Sequence, residues 1–197
     1  MTDYADALPV REARARYFES NGFGDGGYDA KWVKLALGPI PFAFPNTAAR
    51  VRAVRLHDLH HVATGYDTNL LGEAEIGAWE IGSSCRGFVA AWVLNLYAMQ
   101  LGLWIDPAAV YRAFVRGRHT GNLYSGNPGN PGAWDEALLE APVGELRERL
   151  RLTGPAPEAR AADRAAFLGW ALVAALLSLA TSALVLAPFV LLARALF

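Results

Sequence analysis

From Ala165 to Ala193 no charged residue interrupts the chain, and these twenty-nine positions are mostly Leu, Ala and Val. About twenty apolar helical residues cross a bilayer's hydrocarbon, so the stretch suits one tilted transmembrane helix and is uncomfortable for two. A buried amphipathic helix would need a polar face, and none is present. Ser178, Thr181 and Ser182 can satisfy their hydroxyls on carbonyls of the preceding turn, and Pro188 near the far end can kink the helix. Arg147, Arg149, Arg151, Arg160 and Arg164 precede the stretch and only Arg194 follows it. This bias predicts that the preceding domain faces the cytoplasm from a bacterial-type inner membrane, with membrane lipid as a partner. Residues 1–30 carry Asp3, Asp6, Arg11, Glu12, Arg14 and Arg16 without an apolar core segment, so the amino terminus is expected to stay in the cytoplasm.

The remaining length suits one modest domain, over residues 1–153. Thr153-Gly154-Pro155-Ala156-Pro157 opens a linker expected over 154–164, followed by the anchor at 165–193. A net charge of −1 and a pI near 6.4 give no global basic field, so nucleic acid is not an expected partner. The single cysteine, Cys85, excludes an internal disulfide; it is read as a small core side chain in preference to a nucleophile.

The domain reads as all-α and compact. Helices are expected at 11–19, near 29–37, at about 47–63 behind an Asn46 or Thr47 cap, and across 68–102 with a break near Gly82-Ser83-Ser84. Another is expected from Asp106-Pro107 to about 117, and a last one over 133–151, interrupted near Pro142. The glycines of 21–27 and the Gly, Asn and Pro of 122–132 mark loops, and three prolines in 40–45 and just before forbid a regular helix there. No alternating strand pattern of convincing length is visible.

Chemistry concentrates in His57-Asp58-Leu59-His60-His61 and Glu73. His57 and His61 lie one helical turn apart on one face, and Asp58 sits three residues before His61, so the three can converge on one cation. Thr64-Gly65 reads as a helix stop and Asp67-Thr68-Asn69 as a turn with an N-cap, which puts Glu73 at the start of a second helix that can fold back. The result is a helix-turn-helix clip with His57, Asp58, His61 and Glu73 as metal ligands. Two imidazoles and two carboxylates suit zinc, iron or manganese better than calcium or magnesium. Asp58 follows His57 where a zincin needs Glu, no Glu-x-x-His pair exists for a di-iron bundle, and no histidine precedes His57 as a His-Asp phosphohydrolase requires.

The spacing of these four residues coincides with the His-Asp-x-x-His-x(11)-Glu signature of the ubiquinone (coenzyme Q) biosynthesis protein 4 family, which this stretch strongly resembles. Arg50-Val51-Arg52-Ala53-Val54-Arg55-Leu56 is similar to the basic helix leading into that signature, and Thr64 to Glu73 is similar to the family's bacterial turn. Residues 113–118, Trp134 and 142–150 are more loosely similar, so the resemblance covers roughly 12–153. The apolar tail is not part of the family pattern. The resemblance implies a divalent metal, a polyprenylated quinone precursor as substrate, and exchange of its ring carboxylate for a hydroxyl. It also implies assembly with other quinone-biosynthesis enzymes and a homodimer. Glu73 and Asp58 are the candidate catalytic carboxylates; Glu73, coming from the second helix, is assigned the proton shuttle, with a pKa raised by burial unless a metal pairs with it.

Two further features each admit two uses. Gly72, Ala74, Gly77, Ala78 and Gly82 either leave volume beside the clip or serve close helix packing, and Trp79, Phe88, Trp92, Tyr97 and Trp104 either wall a prenyl channel or form an ordinary core. Arg112, Arg116, Arg118 and His119 either meet an anionic head group or form a solvated basic face. On the binding reading, Arg116, Arg118 and Trp79 are the substrate-binding residues. Against catalysis stands a lipid-binding scaffold with a structural metal, and a third reading is a metal-dependent hydrolase of phosphorylated prenyl lipids.

Overall fold

The computed structural model describes residues 3–37, 40–125 and 136–196. These form helices α1 Val10–Asn21, α2 Ala48–Thr64, α3 Leu70–Ser83, α4 Val89–Ile105, α5 Pro107–His119, α6 Glu136–Glu140, α7 Val143–Arg149 and α8 Ala161–Leu196, with strands β1 Trp32–Leu37 and β2 Ile40–Pro45. The chain is mostly helical, and among the described residues α8 is the one helix long and apolar enough to cross a membrane. Trp134 and most of the expected loop 122–132 lie outside the described residues, as do Gly38 and Pro39.

Helix α3 is the centre of the domain. Ala74, Ile76, Ala78, Trp79 and Glu80 have no exposed surface, because α4 and α5 flank it closely. Its small residues permit that approach: Gly77 lies against Asn95 and Ala98 of α4, and a Cβ at Gly82 would collide with the Phe114 carbonyl of α5. A Cβ at Gly117 on α5 would in turn strike the Trp79 carbonyl. Of the two uses of the small residues, Gly77 and Gly82 therefore serve close packing.

Helix α2 packs against α1, α3, α4 and α7. Thr47 caps its start by accepting from the Arg50 amide, and Gly65 ends it at φ 76°. Two guanidinium groups serve its last carbonyls: Arg147 donates to Ala63 at 3.2 Å and Arg116 to Thr64 at 3.2 Å. Both satisfy acceptors left over at a helix C-terminus and complement its negative dipole end.

The helix expected near 29–37 is a strand. Trp32–Leu37 pairs antiparallel with Ile40–Pro45, in a register that sets Trp32 opposite Pro45 and Leu37 opposite Ile40. Six residues are too few to hold a helix without a packed face, whereas Trp, Val and Leu suit a half-buried ribbon. Pro41 and Pro45 are four residues apart, so both turn their hydrogen-free nitrogens to the same side of β2. A two-stranded ribbon leaves one side of each strand without ladder partners.

The tail also differs from the expected linker and anchor. Helix α8 begins at Ala161, inside the expected linker, and continues through Pro188. Asp163 is buried, accepting from Arg118 Nε at 2.7 Å and His119 Nε2 at 3.0 Å. Farther along, Trp170 stacks on Trp92, with ring centroids 4.8 Å apart, and the Tyr97 and Thr181 hydroxyls bond to each other. The tail therefore docks on α5 and α4 before it leaves the domain.

Candidate metal centre

The last two turns of α2 and the first turn of α3 form the clip that the spacing predicts. Asn69 caps α3 by accepting from the Gly72 amide, and the tight turn from Asp67 leaves no room for a side chain at position 72. The Nε2 atoms of His57 and His61 are 3.2 Å apart, and the two oxygens of Glu73 lie 3.5 Å from His57 and 3.4 Å from His61. One ligand atom from each of the three lies within 4.8 Å of the others. Donors about 2.0–2.1 Å from a tetrahedral ion are about 3.3–3.4 Å from one another. The 3.2 Å between the two Nε2 atoms suits two corners of such a site, and Glu73, which turns a different oxygen to each histidine, completes the group.

Hydrogen bonds behind the triangle fix which nitrogen faces inward. His61 Nδ1 donates to the Tyr66 carbonyl at 2.9 Å, and His57 Nδ1 donates to Glu80 Oε1 at 2.8 Å. Both Nε2 atoms are therefore directed at Glu73 and at each other, the arrangement that partner groups behind ligating histidines impose. Glu80 is fully buried and saturated. Its Oε1 also accepts from His60 Nδ1 at 2.6 Å, and its Oε2 accepts from the Asn95 amide and from the Tyr124 hydroxyl at 2.9 Å. His60 accepts the Leu123 amide on Nε2, which fixes its own proton on Nδ1.

Charge balance also fits a cation. Among the described residues, Glu73 and Glu80 form ion pairs only with histidines. Burial disfavours a charged His57, but Glu80 and Glu73 outweigh it and raise its pKa well above the ordinary value. Burial likewise opposes ionised Glu73, yet hydrogen bonds from His57 and His61 lower it to about 2. Its side chain keeps 39% exposure, so solvent screens part of that effect. Glu73 is thus held ionised and suited to ligation, contrary to the raised pKa expected of a proton shuttle. Burial drives the His60 pKa down; at Glu80 burial favours the neutral acid, but His57 and His60 outweigh it and hold the carboxylate ionised.

Asp58 stands apart from the triangle. It is buried, accepts the Tyr28 hydroxyl at 2.5 Å, and has its pKa raised chiefly by burial. It lines a cavity of about 670 Å³, together with His57, Glu73 and apolar residues of α2, α4 and β1. That volume falls within the range of about 300–1,000 Å³ common to small-molecule sites. Arg50 and Lys34 also line it, and Arg50 Nε is buried without a hydrogen-bond partner.

The expected substrate-binding residues lie elsewhere. Trp79 is fully buried in α3 and donates to Thr120 Oγ1 at 2.9 Å; Arg116 serves the end of α2, and Arg118 holds Asp163. None of them lines the cavity. Trp92 and Tyr97 meet α8, so they too form packing contacts. Cys85 is buried with its thiol pKa pushed up, first by burial and then by Glu80, as suits a core residue. The sequence reading missed Glu80, Tyr28 and Arg50. Glu80 carried a signal, since it lies two turns after Glu73 as the one charge in Ile76–Ile81. Comparison with protein-family models, curated proteins and solved structures finds no match to this chain.

Proposed function

We propose that this protein acts in ubiquinone biosynthesis as a membrane-attached, metal-dependent enzyme that exchanges the ring carboxylate of a polyprenylated aromatic precursor for a hydroxyl. The observation that carries the reading is the His57, His61 and Glu73 triangle, at the spacing of the family signature, with His57 and Glu73 lining a largely apolar cavity. His57, His61 and Glu73 would hold one divalent ion, zinc, iron or manganese. Such an ion supplies Lewis-acid charge to oxygens of the ring substrate.

The chain's own residues divide the remaining tasks. Arg50 and Lys34 supply positive charge to draw the substrate's carboxylate into the cavity, and the unpartnered Arg50 Nε has a hydrogen bond to give. Asp58, with Tyr28 bonded to it, takes the proton-transfer role in place of Glu73. When the bond to the carboxyl carbon breaks, carbon dioxide leaves, the electron pair stays on the ring carbon to form the new carbon–oxygen bond, and Asp58 can deliver a proton to the oxygen that takes the carboxylate's place. Replacing carboxyl by hydroxyl is a two-electron oxidation overall, with dioxygen as the oxidant: ring carboxylic acid, dioxygen and water give ring hydroxyl, carbon dioxide and hydrogen peroxide. The domain is assigned to the cytoplasmic face of a bacterial-type inner membrane, as a homodimer that meets other enzymes of the pathway there.

The test is mass spectrometry of quinone intermediates in a strain lacking the protein, rescued with wild type or with Glu73→Ala. A carboxylated prenyl-ring precursor should accumulate and be cleared by the wild type alone. Normal quinones in the deletion strain would overturn the pathway, and rescue by both forms would make the protein a prenyl-lipid scaffold.

A further inference from the structure

Helix α4 has the composition of a membrane element although it is too short to span. Its seventeen residues, Val89–Ile105, include no Asp, Glu, Lys or Arg, and at 1.5 Å per residue it is about 25 Å long. Its inner face meets α3 and the cavity through Ala91, Asn95 and Ala98. Its outer face leaves Val89, Val93, Leu101, Trp104 and Ile105 exposed, Val89 at 72% and Trp104 at 81%. On α8, Leu168, Leu172, Leu176 and Leu179 are exposed as well.

The contacts between α4 and α8 fix a depth. Tyr97 meets Thr181, which lies near the middle of the uncharged stretch. A crossing needs about twenty of its twenty-nine residues, so the shallowest placement uses the last twenty, 174–193. Even then Thr181 is seven residues, about 10 Å along an untilted helix, below the interface. A helix touching α8 at that level is inside the hydrocarbon as well.

We propose that α4 is a second membrane-embedded element, which enters the bilayer beside α8 and presents Val93, Leu101 and Trp104 to lipid acyl chains. Its peptide groups are satisfied within the helix, as hydrocarbon requires, and its polar Asn95 turns inward to Glu80. The domain is thereby seated in the membrane instead of hanging above it on a linker. For the prenylated substrate this has a consequence that rests on the proposed function: the cavity edge at Leu70 and Leu94, both exposed, lies where a lipid tail can enter sideways.

The embedding itself is tested without substrate or metal. The full chain, in a Cys85→Ala background, is reconstituted into phosphatidylethanolamine and phosphatidylglycerol vesicles with single nitroxides at Val93→Cys, Leu101→Cys, Leu179→Cys or Glu148→Cys. Collision with oxygen, which concentrates in hydrocarbon, is compared with collision with a water-soluble neutral nickel chelate. Val93, Leu101 and Leu179 should all favour oxygen several-fold more than the exposed Glu148 position does. Nickel-accessible labels at Val93 and Leu101 beside an oxygen-favouring Leu179 would overturn the proposal and leave α8 as a lone span. A nickel-accessible Leu179 would overturn the span and the proposal together. Labels at Val93 and Leu101 shielded from both reagents and broadened by each other would place a second copy of the chain on this face, again overturning it. None of these outcomes depends on whether the ring chemistry is right.

Discussion

At the residue scale, His57 carries the charge that the buried carboxylates demand. Its Nε2 faces His61 and Glu73, so a proton there occupies the place a cation would take. Because its pKa is raised well above 6.5, the proton's contribution to stability in the metal-free protein is complete below about pH 6.5 and fades as pH rises through the raised value. Metal binding must expel this proton. Calorimetric titration with zinc should accordingly show proton release at neutral pH, with apparent affinity rising about tenfold per pH unit until the raised pKa is passed. An affinity flat between pH 6 and 8 would contradict a protonated His57. Glu80 makes a sharper test, since it is not one of the grouped ligands and reaches them only through His57, which it orients. Glu80→Gln keeps the shape and removes the charge, and metal affinity should fall by about 10–100-fold. An unchanged affinity in a folded Glu80→Gln protein would reduce the carboxylate to core packing.

At the element scale, the site is only as rigid as the close approach of α3 to its neighbours. Gly117 touches the Trp79 carbonyl, one residue before Glu80, so Gly117→Ala must push α5 away from α3. Forced overpacking of this kind costs about 1–3 kcal/mol. Thermal or denaturant unfolding should show the loss, while Gly154→Ala, in open space, should stay within about 0.5 kcal/mol of wild type. The same elements explain what could be read in advance. Caps and stops were local and therefore legible: Thr47 and Asn69 start α2 and α3, Gly65 ends α2, and the break after Ser83 separates α3 from α4. The histidine pair followed from helical spacing, and Glu73 from the stop at Thr64-Gly65 and the capped start of a second helix. Three features depended on distant partners and were not legible. Trp32–Leu37 becomes a strand only because Ile40–Pro45 pairs with it, Arg116 is drawn to the end of α2 fifty-two positions away, and Asp58 is bonded to Tyr28 outside the histidine and Glu73 triangle.

At the scale of the whole molecule, the domain and α8 behave as one body joined by a coil that need not hold them together. Residues 153–156 are exposed and belong to no helix or strand, whereas the contacts on either side of them are buried and varied. Phe167 packs edge-on against Tyr111 and Phe114, Ala174 has no exposed surface, Trp170 stacks on Trp92, and Asp163 receives Arg118 and His119. Fully burying an aromatic side chain contributes about 1.5–3 kcal/mol, so the nearly buried Phe167 and the half-buried Trp170 form the apolar part of this attachment. Insertion of a specific protease site between Pro155 and Glu158 would cut the coil without touching these contacts. After cleavage in detergent micelles, the domain and α8 should still elute together, and Trp170→Ala combined with Phe167→Ala should separate them. Asp163→Asn alone should leave them associated. Separation of the cleaved wild-type protein would mean that the covalent linker is the whole attachment and that the interface adds no binding of its own.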